Sequence, residues 1–132
     1  MDAELDELSV TNVRDTEEII VSQWREVSAG DKSHVREQVD EILRPLGLQT
    51  RLVVVERANS LALFFFCMTL SALLSLRERW STGQLRDIVQ SLFVFLSGAA
   101  VRVKRLTWPV SDYERCMKIH KAAEGKDIKT NL

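Results

Sequence analysis

The chain has 132 residues, 45% of them hydrophobic and 28% charged, which suits one soluble-type domain with one core and is too charged for a bare membrane protein. A net charge of −1 gives no bulk electrostatic pull toward DNA or RNA. The two cysteines, Cys67 and Cys116, stand far apart with no CxxC pattern or Cys/His cluster. That pattern points away from a zinc site and from a secreted disulfide scaffold.

Residues 1–14 hold few apolar positions and many acids, and they read as an acidic, disordered leader. Over residues 1–18 there are seven acids against the single base Arg14. Residues 102–129 hold eight bases against four acids, so the two ends of the chain differ in sign. The plain interpretation is two solvated surfaces, and mutual attraction or separate partners is the alternative. The polar, acidic start is no signal peptide, and a reducing cytoplasmic setting is the default expectation.

Residues 15–28 fit two descriptions. Asp15 and Glu18 are spaced for a capping box, with Ile20, Trp24 and Val27 on one helical face; Ile19-Ile20-Val21 equally suits a short strand. A helix is predicted over 33–44, where Val35, Val39, Ile42 and Leu43 recur at helical spacing and Pro45 and Gly47 mark the end. Two β runs follow, Arg51–Glu56 and Leu61–Met68, joined by Ala58-Asn59-Ser60 at hairpin length. Two helices are then predicted. Leu70, Leu73, Leu74 and Trp80 mark the first, which Gly83 ends; Leu85, Ile88, Val89, Leu92, Phe93 and Leu96 mark the second, which Gly98 ends. The last strand starts near Ala100. Its apolar phase shifts from Val101 and Val103 to Leu106 and Trp108, which a bulge near Lys104-Arg105 explains, and Pro109 stops it. Ser111 and Glu114 are spaced for a capping box on a final helix carrying Tyr113, Cys116, Met117 and His120, closed by Gly125, with 126–132 a frayed tail. The whole predicts an α+β domain over 15–125: a small antiparallel sheet of three to four strands with helices packed on one face.

Residues 60–76 are free of charge over 17 positions, the bottom of the transmembrane range, so a membrane-anchored subunit is the first alternative. The run changes character at Thr69, from β-branched and aromatic to leucine-rich, which fits a strand followed by a helix. Arg102, Lys104 and Arg105 beside Trp108 raise a nucleic-acid module as the second alternative, although this tryptophan lies in the apolar phase of its strand. The histidines, His34 and His120, stand outside any nucleophile motif, and the five glycines form no phosphate loop. The expectation is therefore no enzyme, no catalytic or metal-binding residues, no cofactor and no small-molecule substrate.

From about Thr50 to Lys121 the order of elements resembles the N-terminal, TRAF-binding domain of the TNF-receptor-associated death-domain adaptors (TRADD). The run Asp112-Tyr113-Glu114-Arg115-Cys116 in the final helix is similar to an acidic-Glu-Arg-Cys run in that domain. The resemblance implies an α–β sandwich without catalytic activity that binds a TRAF-like protein through its sheet side in death-receptor or apoptosis-type signalling. The chain departs from it before Asp31, where no first strand is evident, and in its shorter loops. A scaffold role also agrees with the residues alone. A sheet with helices on one face needs a cover for the other, from a partner or by self-association, and Val53-Val54-Val55 is apolar on both strand faces. Partner binding is expected on the strand residues Arg51, Val53, Val55, Arg102 and Lys104.

Overall fold

In the computed structural model, described over residues 1–30 and 33–130 (side chains excepting Ser33 and 124–130), four antiparallel strands form one open sheet in the order β2-β3-β1-β4. The elements in chain order are β1 (Asp2–Leu5), α1 (Val13–Ser28), α2 (Ser33–Leu43), a 3-10 turn (Arg44–Leu46), β2 (Thr50–Arg57), β3 (Leu61–Cys67), α3 (Leu70–Ser81), α4 (Gln84–Ser97), β4 (Val103–Thr107) and α5 (Val110–Thr130). The α+β class and the helix-backed antiparallel sheet are as the sequence predicts.

The largest departure is at the N-terminus. Residues 2–5 are not part of a disordered leader: they form the inner strand β1, between β3 and β4. Asp2 and Glu4 point to the outer face while Ala3, fully buried, and Leu5 enter the core. Two apolar residues over four positions carry too weak a period to register against a background of acids. The position is set by backbone pairing on both sides, with Asp2 opposite Ala62 on β3 and Thr107 on β4.

Residues 15–28 resolve as helix. Ile20, Val21, Trp24 and Val27 form the buried stripe of α1. Its N-cap is Asn12, whose side chain accepts the Asp15 N–H at 3.2 Å, rather than Asp15 itself. α3 begins at Thr69, whose hydroxyl accepts the Ala72 N–H at 3.1 Å. This cap separates β3 from α3, so residues 60–76 are a strand and a helix; no helix among the described residues is long and apolar enough to cross a membrane. Gly83 then takes φ 86°, a left-handed conformation that L side chains resist, and lets α4 start directly after α3. All six stripe residues of α4 are buried, and the helix touches α1, α2, α3 and β4.

The bulge expected in the last strand is present: the β1–β4 register shifts between Glu4 and Leu5, opposite Val103–Arg105. Val101, Val103, Leu106 and Trp108 all reach the core as a result. α5 does not use the Ser111/Glu114 capping box. It starts at Val110, and the Pro109 carbonyl accepts from the Asp112 and Tyr113 N–H groups. The helix also runs past Gly125 to Thr130, where a frayed tail was expected; a single glycine costs a helix about 1 kcal/mol and no proline follows to stop it. Asn131 and Leu132 of that expected tail lie outside the described residues.

An aromatic clamp fastens α5 to the rest. The Arg77 guanidinium of α3 lies 4.2 Å from the Trp80 ring centroid, 4.7 Å from Tyr113 and 5.1 Å from Trp108. It donates to the Trp108 carbonyl at 3.2 Å, and Trp80 Nε1 donates to the Leu106 carbonyl at 2.9 Å. Trp108 meets Trp80 and Tyr113 edge to face.

Candidate protein-interaction surface

β2 and β3 pair over their whole length, and a register shift between Leu52 and Val54 interrupts the alternation of β2. Trp24 Nε1 donates to the Val53 carbonyl there, at 3.4 Å. Because of the irregularity both Val53 and Val54 are exposed, while Leu52 and Val55 enter the core. Val55 therefore does not belong to the expected binding surface: at 2% exposure it is a core residue opposite Leu63. Arg51 and Val53 are exposed as expected.

Arg102 and Lys104 are exposed too, but at the other side of the sheet. Arg102 just precedes β4 and is tied to the N-terminal segment: its carbonyl accepts from the Asp6 N–H at 2.8 Å, and its own N–H donates to Ser9 Oγ at 3.1 Å. Lys104 Nζ lies 3.9 Å from Glu4 Oε1. With β3 and β1 between β2 and β4, the expected residues fall into two groups on opposite edges, roughly 14 Å apart at ordinary strand spacing. Trp108 is buried in the aromatic clamp, with its face covered by Arg77, so it is not placed to stack on a base.

Between the two groups stand residues that the sequence reading did not assign. Phe64 and Phe66 of β3 project outward at 50% and 55% exposure, opposite Val54 and Arg51. Met68 continues the row. The signal was present: in Leu61–Met68 both alternating phases are apolar, one filling the core with Leu61, Leu63 and Cys67, the other facing out with Phe64, Phe66 and Met68. A strand apolar on both phases implies a cover on both faces, and no described element covers the second. The β1–β4 half of the same face is charged, with Asp2, Glu4, Lys104 and Arg105. The outer face is thus an apolar field beside a mixed-charge field.

Where β3 passes α5, an open groove of about 600 Å³ adjoins the apolar field. Both cysteines line it, and both are free. Burial pushes the Cys67 thiol up from its usual range, partly opposed by the Thr50 hydroxyl at 4.0 Å from Sγ. Cys67 is therefore a protonated, inert thiol at neutral pH, and Cys116 is the exposed one. Among the described residues no group of His, Cys, Asp and Glu is placed to hold a metal ion. What this surface offers is apolar area, aromatic rings and a few cations, the composition of a protein-binding patch.

No protein-family model, curated protein or solved structure matches the chain.

Proposed function

We propose that the chain is a non-enzymatic protein-interaction module of adaptor or scaffold type, which docks a protein partner on the outer face of its sheet. The observation that carries this reading is the pair Phe64 and Phe66, two phenylalanines side by side on the outer face of β3 and left half in water. Covering the remaining area of each ring is worth about 2 kcal/mol, enough for the pair to act as an anchor. Val53, Val54 and Met68 widen the patch, and Arg51 supplies a flanking cation. The TRADD-like order of elements supports placing the partner among TRAF-type proteins, and with it a cytoplasmic role in death-receptor or apoptosis-type signalling.

The test is binding of a purified TRAF C-terminal domain to the whole chain and to the double variant Phe64→Glu/Phe66→Glu. Both positions face out, so the variant should keep its melting temperature within a few degrees. Its affinity should fall about 30-fold or more, the effect of losing a central aromatic anchor. Undiminished affinity in the double variant would rule out this face. A TRAF domain that fails to bind the unaltered chain would remove the signalling assignment.

A further inference from the structure

We propose that the groove between α2 and the start of β2 docks an extended, acidic segment of a partner protein, one with two carboxylates about four residues apart and an apolar side chain between them. The inference rests on the reading of the chain as an interaction module and extends it to a neighbouring surface, which shares Arg51 and Met68 with the outer-face patch.

The local sequence makes the groove. Pro45 stops α2 and the chain tightens into the turn Arg44–Leu46. Gly47 then takes φ 85°, where L side chains are strained, and the chain returns as β2. One side of the groove is α2 with its turn, and the other is Thr50–Leu52 of β2. Buried Trp24, Val39 and Leu52 give it an apolar floor, and its volume is about 620 Å³. At its mouth Leu48 stands almost wholly in water.

The lining also selects charge. Arg36, Arg44 and Arg51 line the groove against the single acid Asp40. Residues 36, 40 and 44 follow at i, i+4 spacing, so they share one side, and Arg36 and Arg44 stand about 12 Å apart along it. Each is drawn back to its own helix. Arg36 Nε lies 3.3 Å from Asp40 Oδ1, and Arg44 Nη2 lies 2.7 Å from Glu41 Oε2. The two guanidiniums are thus held apart instead of converging on one anion. Both pairs are well exposed to water and weak, so an incoming carboxylate can join or replace them. Arg51, on the β2 side, makes no ion pair among the described residues.

An extended chain covers about 13 Å over four residues and turns residues i, i+2 and i+4 to one side. Carboxylates at i and i+4 then meet Arg36 and Arg44 while the side chain at i+2 lies on the floor. Asp40 stands midway and repels a carboxylate at i+2, which leaves that position to an apolar residue. A nucleic acid would bring phosphates past Asp40 as well. Trp24 is buried, with Nε1 donating to the Val53 carbonyl at 3.4 Å, so its ring is not free to stack on a base.

The probe is an acetylated, amidated heptapeptide with glutamate at its second and sixth positions, leucine at the fourth and threonine or glycine elsewhere. It is titrated into the uniformly ¹⁵N-labelled whole chain at about 50 mM NaCl. It should bind with a Kd below about 1 mM and shift the amides of Val39, Leu43 and Leu52. Binding should weaken about tenfold with glutamine at both acidic positions, about tenfold in the Arg44→Glu/Arg51→Glu variant, and about threefold at 300 mM NaCl. The glutamine peptide needs only the unaltered chain, so it decides the matter if the variant fails to fold. The proposal is overturned if the glutamate peptide fails to bind at about 5 mM, if the glutamine peptide binds equally well, or if the shifts fall on Phe64 and Phe66 instead. Displacement by an equal concentration of inorganic phosphate would make the groove a simple anion site, and displacement by an equal concentration of oligothymidylate would give it to nucleic acid; either overturns the peptide as occupant. The Phe64→Glu/Phe66→Glu variant should still bind the peptide. Failure of the peptide with the TRAF-domain result intact removes the groove and leaves the module; the converse moves the docking site from the outer face to the groove.

Discussion

Glu17 sits on the buried side of α1, an unusual place for a carboxylate. Burial pushes its acid form up from the ordinary value, and the opposing charges of Arg57 and Arg14 do not cancel that. The sign follows directly. The folded state holds the Glu17 proton more tightly than the unfolded state, so ionising the group costs stability, and the cost grows as pH rises from the ordinary carboxylate range through the raised folded value. Glu17→Gln is expected to raise the melting temperature at pH 7, with the gain shrinking toward zero at pH 4, where both states carry the proton; paired thermal melts at the two pH values check this. The same scale shows why part of the candidate site was legible and part was not. Arg51 and Val53 are outward on β2, as a simple alternation requires. Val55 is two positions further and should share their face, but the irregularity at Leu52–Val54 reverses the phase, and nothing in Val53-Val54-Val55 marks which valine yields. Phe64 and Phe66 carry the opposite lesson: aromatic side chains in a strand read as core, and only the double apolar phase of β3 hints that one set faces out.

Among the elements, those with long apolar stripes were readable in advance. α4 shows all six of its stripe residues buried, and α2 ends at its Pro45 and Gly47 signals. Helix starts were less so, because capping chemistry recurs by chance: Asn12 caps α1 instead of Asp15, and Pro109 opens α5 in place of a Ser111 box. α5 packs on α3, with Tyr113 and Met117 against the core. Its hold on the fold passes through α3, and above all through Arg77 with Trp108 and Tyr113. Arg77→Met keeps a similar length but loses the charge over three rings and the bond to the Trp108 carbonyl. The expected loss is about 1–2 kcal/mol, or roughly 3–8 °C in melting temperature. Amide exchange should show the loss concentrated in α5 and the end of β4. An even spread over all helices would show that the clamp does not serve α5 in particular.

For the whole molecule, the decisive fact is that the sheet is knit around its first residues. The relation between Asp2–Leu5 and the rest could not be seen locally, because nothing about four residues with two acids tells that they lie between strands from the middle and the end of the chain. Removing residues 1–5 should therefore do far more than trim a polar leader. It would separate β3 from β4 and open the core at Leu61 and Leu106. The truncated chain is expected to lose cooperative thermal unfolding, and Ala3→Asp, which sets a charge at a fully buried position, should do nearly the same. Retention of a sharp transition in both would show β1 to be dispensable. The arrangement also has a consequence for synthesis. On the ribosome β1 is made before either of its partners, so it has no neighbour until the β3 hairpin has been made and no second one until Thr107 emerges. The nascent chain must hold β1 in reserve until β4 is made, and the last seam of the sheet to close joins its earliest strand to its latest.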